Sequence, residues 1–166
     1  MKEKKDITEM EALQRLSTLC AQSEHCSWEM VEKMRRWGLA EEAQARVMER
    51  LVEEHYVDDA RYCRSFIHDK VRYNKWGRRK VEQALKAKRI DSDIYQPLLD
   101  EVDDEEYLQV LRPLLQGKRR QLKAMSEYEA NGRLIRFALG KGFTFDIIKQ
   151  CLDTEGHEME EDDGGD

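Results

Sequence analysis

Apolar residues recur at spacings of three and four along the chain and β-branched residues are sparse and scattered, so the pattern predicts helices and no strand. Thr8-Glu9-Met10-Glu11 reads as a capping box, with Thr8 as N-cap. Met10, Leu13, Leu16 and Cys20 then share one face of a first helix. A polar break runs from Ser23 to Ser27, and Ser27 is placed to cap a second helix with Met30, Val31 and Met34 as its buried stripe. Gly38 suits the left-handed position that follows a helix. A third helix carries Ala43, Val47, Leu51 and Val52 and ends at His55-Tyr56.

The plan then repeats. Asp58 or Asp59 caps a fourth helix with Cys63, Phe66, Ile67 and Val71 inward. Asn74 and Gly77 break it, a fifth helix follows with Val81, Ala84 and Leu85, and Arg89-Ile90 turns into a short sixth helix capped by Asp91, with Ile94, Leu98 and Leu99. Asp103 to Glu106 stand where acids favour a helix start, ahead of Tyr107, Leu108 and Leu111. Pro113 must kink or restart that helix. Ser126 and Glu129 form a second capping box; Leu134, Ile135 and Ala138 face inward; Gly142-Phe143 makes a turn, and Ile147, Cys151 and Leu152 lie on a last helix.

These registers coincide. Leu39, Ile90 and Phe143 each follow an amphipathic helix, 51 and 53 residues apart, with Met34, Leu85 and Ala138 before them and Val47, Leu98 and Cys151 after. A period near fifty with one apolar template predicts an all-α protein of three tandem three-helix repeats, at 8–56, 57–101 and 102–152. Each is too small for a large core, so the repeats are expected to stack into an elongated, curved body. Such arrays bind with their surfaces and seldom enclose a catalytic pocket.

Composition sharpens this reading. Charged residues make up 39% and apolar ones 40% of 166 residues, the balance of a soluble helical protein with a modest core. No run of apolar residues is long enough to cross a bilayer and the N-terminus lacks a signal peptide, so no membrane contact and a cytoplasmic location are expected. The four cysteines lack paired spacing and are expected to be reduced. The net charge of −6 conceals an asymmetry, because residues 153–166 hold eight acids and no Lys or Arg. Without them 29 basic residues face 27 acidic ones. That tail is expected to be disordered, serving solubility or screening a basic face.

The basic face centres on the second repeat. From Lys70 to Arg89 there are nine Lys/Arg and one acid, Glu82. Arg79 and Lys86, seven residues apart, share a helix face opposite Val81, Ala84 and Leu85. Arg78 and Lys80 flank that face, Arg72, Lys75 and Arg89 stand at its approaches, and Lys88 adds to it. Lys118, Arg119, Arg120 and Lys123, then Arg133, Arg136 and Lys141, extend it into the third repeat. Tyr73 and Trp76 interleave with the cations, either to stack on bases or to pack as anchors. The pattern points to an anionic partner, nucleic acid or an acidic protein surface, in preference to a merely solvated face.

Other chemistries fit poorly. The second and third helices of each repeat resemble a helix-turn-helix, but the third helix of the first repeat carries Glu41, Glu42, Glu49, Glu53 and Glu54, which phosphates would repel. DNA contact would therefore run along the backbone through the basic middle helices, without base specificity. Asp58-Asp59 is better read as a cap than as a metal site, and Cys20, His25 and Cys26 lack a second ligand pair. No phosphate loop, nucleophile elbow or His-Glu metal helix is present, so neither catalysis nor a cofactor is expected.

Specific blocks carry a family resemblance. Leu13-Gln14-Arg15-Leu16 precedes a Ser-x-Glu-Met-x-x-Lys-Met pattern running from Ser27 to Met34. An unbroken block then runs from Arg46 through Glu53-Glu54-His55-Tyr56-Val57-Asp58-Asp59 to Cys63. Trp76-Gly77-Arg78-Arg79-Lys80-Val81, Leu85-Lys86-Ala87-Lys88 and Ile90 complete it. In this order the chain resembles the bacterial RecX regulatory proteins, modulators of RecA recombinase, over about residues 10–152 and most closely at 46–90. The resemblance implies a curved array of three three-helix repeats that binds along the groove of the RecA–DNA filament. It also implies inhibition of strand exchange, ATP hydrolysis and coprotease activity, and so a part in DNA repair and the SOS response. A monomer contacting RecA and single- or double-stranded DNA is the expected form. Arg89 replaces the glycine usual before the isoleucine, Arg79-Lys80 stands where the family tends to have Pro-x-Arg, and the acidic tail lies outside the pattern.

Overall fold

A computed structural model describes residues 6–153, and every regular element among them is a helix. They are α1 (Glu9–Gln22), α2 (Ser27–Arg36), α3 (Glu41–Glu53), α4 (Asp59–Arg72), α5 (Arg78–Ala87), α6 (Ser92–Asp100), α7 (Asp104–Gln121), α8 (Glu127–Gly140) and α9 (145–153). No described helix is long and apolar enough to cross a membrane. The acidic tail expected from 153 onward lies, after Asp153, outside the described residues.

The fifty-residue period is written into the backbone. Gly38, Arg89 and Gly142 all take left-handed φ, at 76°, 53° and 93°. After each, the next N–H (Leu39, Ile90, Phe143) donates to the carbonyl five residues back (Met34, Leu85, Ala138), at 3.1, 3.4 and 3.1 Å. The left-handed residue itself donates three back, to Arg35, Lys86 and Leu139. This is the same double closure of a helix end, made three times. Met34, Leu85 and Ala138 are fully buried at the three sites. Arg89 alone is not glycine. Left-handed strain of about 1–2 kcal/mol, less the larger unfolded-state entropy of glycine, predicts that Arg89→Gly stabilises the protein by about 0.5–1 kcal/mol. The midpoint of urea denaturation should rise accordingly; a midpoint that stays put or falls would show that the arginine side chain outweighs its backbone strain.

The helices collect into two compact units, one of 6–66 with 85–96 and one of 67–84 with 97–153 among the described residues. The division runs through the middle trio of helices. In the first unit α1 and α2 both pack on α3, around Ala12, Leu16, Met30, Met34, Val47, Leu51 and Val57. Each large side chain fully buried there contributes about 1.5–3 kcal/mol. In the second unit α7 packs on α8, and Tyr107, Leu111, Leu115, Leu134, Phe143 and Ile148 are buried.

Several local expectations change. Met10 and Val52 are 79% and 51% exposed. Ala12 is buried in α1, and a residue two positions away points some 200° around the helix, which turns Met10 outward. Val52 sits about 100° from buried Leu51. Ser27 does not cap α2. Cys26 holds the N-cap position, and the Ser27 N–H is taken by Asp59 Oδ1 at 2.8 Å. The two acids of Asp58-Asp59 thus divide the work, since Asp58 Oδ1 accepts the Arg61 N–H of its own helix. Nor does Pro113 restart a helix: α7 runs through it for 18 residues. Pro113 and Gln109 are both exposed, so solvent can take up the carbonyl that proline leaves without a donor.

Candidate anionic-ligand site

Charge separates the two units. Among the described residues the first holds 11 basic against 15 acidic side chains, and the second 15 against 12. Most of the second unit's excess lies between Lys70 and Lys80.

That segment is clasped to the α8–α9 turn by paired backbone hydrogen bonds. The Gly77 N–H donates to the Lys141 carbonyl and the Arg79 N–H to the Gly142 carbonyl, both at 2.9 Å. The chains approach so closely that a Cβ on Gly77 would stand 2.3 Å from the Phe143 Cα, and one on Gly142 would stand 2.4 Å from the Lys80 Cβ. The clasp gathers lysines that are far apart in sequence. Lys141 Nζ donates to the Asn74 carbonyl at 3.2 Å. Lys70 Nζ and Lys80 Nζ lie 4.8 and 4.7 Å from the centre of the Trp76 indole. Lys75 stands between them with φ 59° and is exposed. Tyr73, 75% exposed, meets His68 edge to face at 6.2 Å.

The other expected residues divide by what holds them. Arg72 lies 4.0 Å from Glu106, and Arg78 pairs with Asp100. Arg79 is exposed and makes no ion pair among the described residues. Lys86, Lys88 and Arg89 fall in the first unit, where Lys88 Nζ turns inward to Glu29 (3.7 Å) and the Trp28 ring (5.6 Å). Lys118, Arg119 and Arg120 close the last turn of α7, with Lys123 in the turn beyond. Lys118 sits 5.3 Å from the Phe137 ring, and Arg119 donates to Asn131 Oδ1 at 3.0 Å. Arg133 and Arg136 are exposed on α8, lining with Tyr128 and Ile135 an open groove of about 630 Å³.

Helix dipoles rank these clusters. Cations at the end of α7, opposite Asp104, Glu105 and Glu106 at its start, are where a helix is stabilised by them. Stability accounts for them without a ligand. Arg78, Arg79 and Lys80 occupy the first turn of α5, which holds no acid. Each cation there opposes the dipole by about 0.3–1 kcal/mol. A charge arrangement that works against the fold is better explained by what it binds. Lys70, Asn74, Gly77 and Gly142 were not among the expected contact residues, because nothing in sequence spacing joins 70–80 to 141–142.

The first unit holds a different polar cluster. The Glu29 carboxylate lies 3.1 Å from His25 Nδ1 and accepts from Cys26 Sγ (3.4 Å) and the Tyr62 hydroxyl, with Lys88 alongside. Burial pushes its carboxyl up, but the hydrogen bonds from His25 and Cys26 and the Lys88 charge more than offset this, leaving it below the ordinary glutamate value. Burial likewise pushes the Cys26 thiol up to about 12, far from a reactive thiolate. Among the described residues no group of three or more His, Cys, Asp or Glu side chains is placed to hold a metal ion.

Comparison with known proteins gives a consistent picture. Models of the second and third three-helix domains of RecX match residues 58–96 and 104–152, together more than half of the chain. The regulatory protein RecX of Lactobacillus johnsonii is 30% identical over 160 residues, covering 96% of this chain and 59% of that protein. That of Vibrio campbellii is 26% identical over 137 residues, covering 82% of this chain and 86% of that protein. The chain thus spans slightly under three fifths of several curated relatives it matches. The crystal structure of RecX from Lactobacillus salivarius superposes with a TM-score of 0.83 at 17% identity, over 88% of this chain and 95% of that one.

Proposed function

The chain belongs to the RecX family of regulatory proteins, and from that premise we propose that it docks on the RecA–DNA filament and inhibits strand exchange, ATP hydrolysis and coprotease activity. It acts as a binding protein, without a cofactor or chemistry of its own, as a monomer in the cytoplasm. Residues 8–56, 57–101 and 102–152 are its three-helix units. The contact surface is the cationic set named above, foremost Arg79 and its neighbours. The observation that carries this reading is the acid-free, cation-rich first turn of α5, a local electrostatic penalty that an anionic partner would reverse.

The test is RecA ATP hydrolysis on single-stranded DNA, titrated with this protein up to equimolar amounts. Inhibition together with co-sedimentation on filaments is expected; neither effect at equimolar ratio overturns the proposal. Arg79→Glu combined with Lys86→Glu should weaken filament binding about tenfold. Melting should stay within about 0.5 kcal/mol of the parent, as for most surface changes. A large loss of folded structure would make those side chains structural.

The exposed ring of Tyr73 beside several lysines favours one second reading, a stand-alone nucleic-acid-binding module without sequence preference. It requires naked DNA to bind as tightly as filaments, with affinity falling steeply as salt rises.

A further inference from the structure

We propose that the acidic segment 154–166 docks on the outer face of α8, lying along the exposed stripe that begins at Tyr128 and pairing with Arg133 and Arg136. The occupant is thus the chain's own tail, and the docking stands whatever the protein regulates. A partner that uses Arg133 and Arg136 has to displace it.

The helix has two apolar stripes. Ala130, Leu134 and Ala138 form the buried one. Tyr128, Gly132, Ile135 and Leu139 recur at the same helical spacing, turned about 130° around the axis from the first. Tyr128 is 90% and Leu139 42% exposed. Arg136 and Arg133 border this second stripe on one side. Both are exposed, and neither makes an ion pair among the described residues, although Glu129 stands one turn before Arg133. The groove of about 630 Å³ runs past Tyr128, Gly132, Arg133, Ile135 and Arg136. An apolar strip edged by two unspent guanidinium groups fits an acidic segment that carries an apolar side chain of its own.

The tail has that chemistry. Residues 154–166 hold seven acids and no Lys or Arg, with Met159 between Glu158 and the run Glu160-Glu161-Asp162-Asp163. Residues 118–136 hold six basic side chains and two acidic ones, Glu127 and Glu129. The basic end of α7 lies beside α8, since Arg119 donates to Asn131 and Lys118 sits over the Phe137 ring. The two segments therefore attract over a Debye length of about 8 Å at physiological salt. Length sets no barrier. Thirteen residues after Asp153 reach about 45 Å at most, against about 21 Å for the whole of α8. The tether also supplies an effective concentration of about 1 mM, so a weak contact is enough to hold the tail. The α4–α5 cations compete less well for it, because Arg72 and Arg78 face Glu106 and Asp100 and no comparable apolar stripe adjoins them.

The test compares backbone amide NMR spectra of the full chain with those of a full-length variant whose tail is neutralised by Glu158→Gln, Glu160→Gln, Glu161→Gln, Asp162→Asn and Asp163→Asn. The amides of Gly132, Arg133, Ile135 and Arg136 should shift between the two proteins. The difference should vanish at about 1 M salt, where charges are screened beyond about 3 Å. A synthetic peptide of residues 154–166 added to the neutralised variant should restore the parent shifts, with a Kd of about 1 mM. Arg133→Gln with Arg136→Gln in that background should weaken the peptide about fivefold, as loss of two exposed ion pairs predicts. Unmoved α8 amides, or a peptide Kd weaker than about 10 mM, overturn the docking. So do shifts that gather on Arg79 and Lys80, which would seat the tail on α5, and shifts that fade on dilution, which would seat it on a second copy. Inhibition of RecA ATP hydrolysis by the neutralised variant reports on the regulatory proposal separately, since that activity does not require the tail.

Discussion

Gly77→Ala should destabilise the protein by about 3 kcal/mol, the upper end for an overpacking substitution. The reason is what the new methyl would meet. The Phe143 Cα and N lie 2.3 Å from the ideal Cβ position and the Gly142 carbonyl carbon 2.4 Å away. All three are backbone atoms, so no side chain can swing aside. Relief requires the two segments to separate, and that breaks the paired hydrogen bonds from Gly77 to Lys141 and from Arg79 to Gly142. Urea denaturation of the variant should show a clearly lower midpoint, and the Lys70–Trp76–Lys80 arrangement should loosen with it. Gly132→Ala is the matching control. Its Cβ would meet nothing within 4 Å, and in the middle of α8 alanine should stabilise by about 0.5–1 kcal/mol. Equal midpoints for the two variants would mean that the close approach at Gly77 relaxes at little cost.

Glu29→Ala should cost about 2–3 kcal/mol, since it strands the Tyr62 hydroxyl, the Cys26 thiol and the Lys88 ammonium that converge on one carboxylate. Glu29→Gln keeps an acceptor but not the charge and should fall between. The same group sets a pH dependence. Its folded carboxyl titrates below the ordinary value of 4.5, so the folded state binds the proton more weakly than the unfolded chain. The stabilisation it contributes is complete above that ordinary value and is lost as pH falls through the lowered one. The parent protein should therefore lose stability below about pH 4.5 more steeply than Glu29→Gln, measured as urea midpoints across that range. Parallel curves for the two proteins would remove Glu29 as the cause.

Much of this architecture was legible in the residues. Thr8 and Ser126 cap their helices as read, accepting from the Glu11 and Glu129 N–H groups. The register of Met34, Leu85 and Ala138 marks the buried ends of three helices because helix closure is local, set by apolar spacing and one left-handed residue. Arg89 is instructive: without the glycine the turn had either to find another geometry or to hold a left-handed arginine, and the backbone takes the second course. Where the reading missed, a distant partner had intervened. Ser27 stands at a plausible cap position, yet Asp59, 32 residues on, serves that helix end. Lys88 looks like part of a continuous basic face, yet Glu29 and Trp28 draw it inward.

Helix type, the fifty-residue period and the placement of cations along the chain follow from interactions within a few residues, and the amino-acid order fixes them. Which cations are spent on carboxylates depends on contacts between distant segments, and Lys141 joins the loop that holds Lys70, Trp76 and Lys80 through a backbone approach that only Gly77 and Gly142 allow. Such contacts leave no periodic trace in the chain, since they arise from where folded elements meet and not from how each one forms.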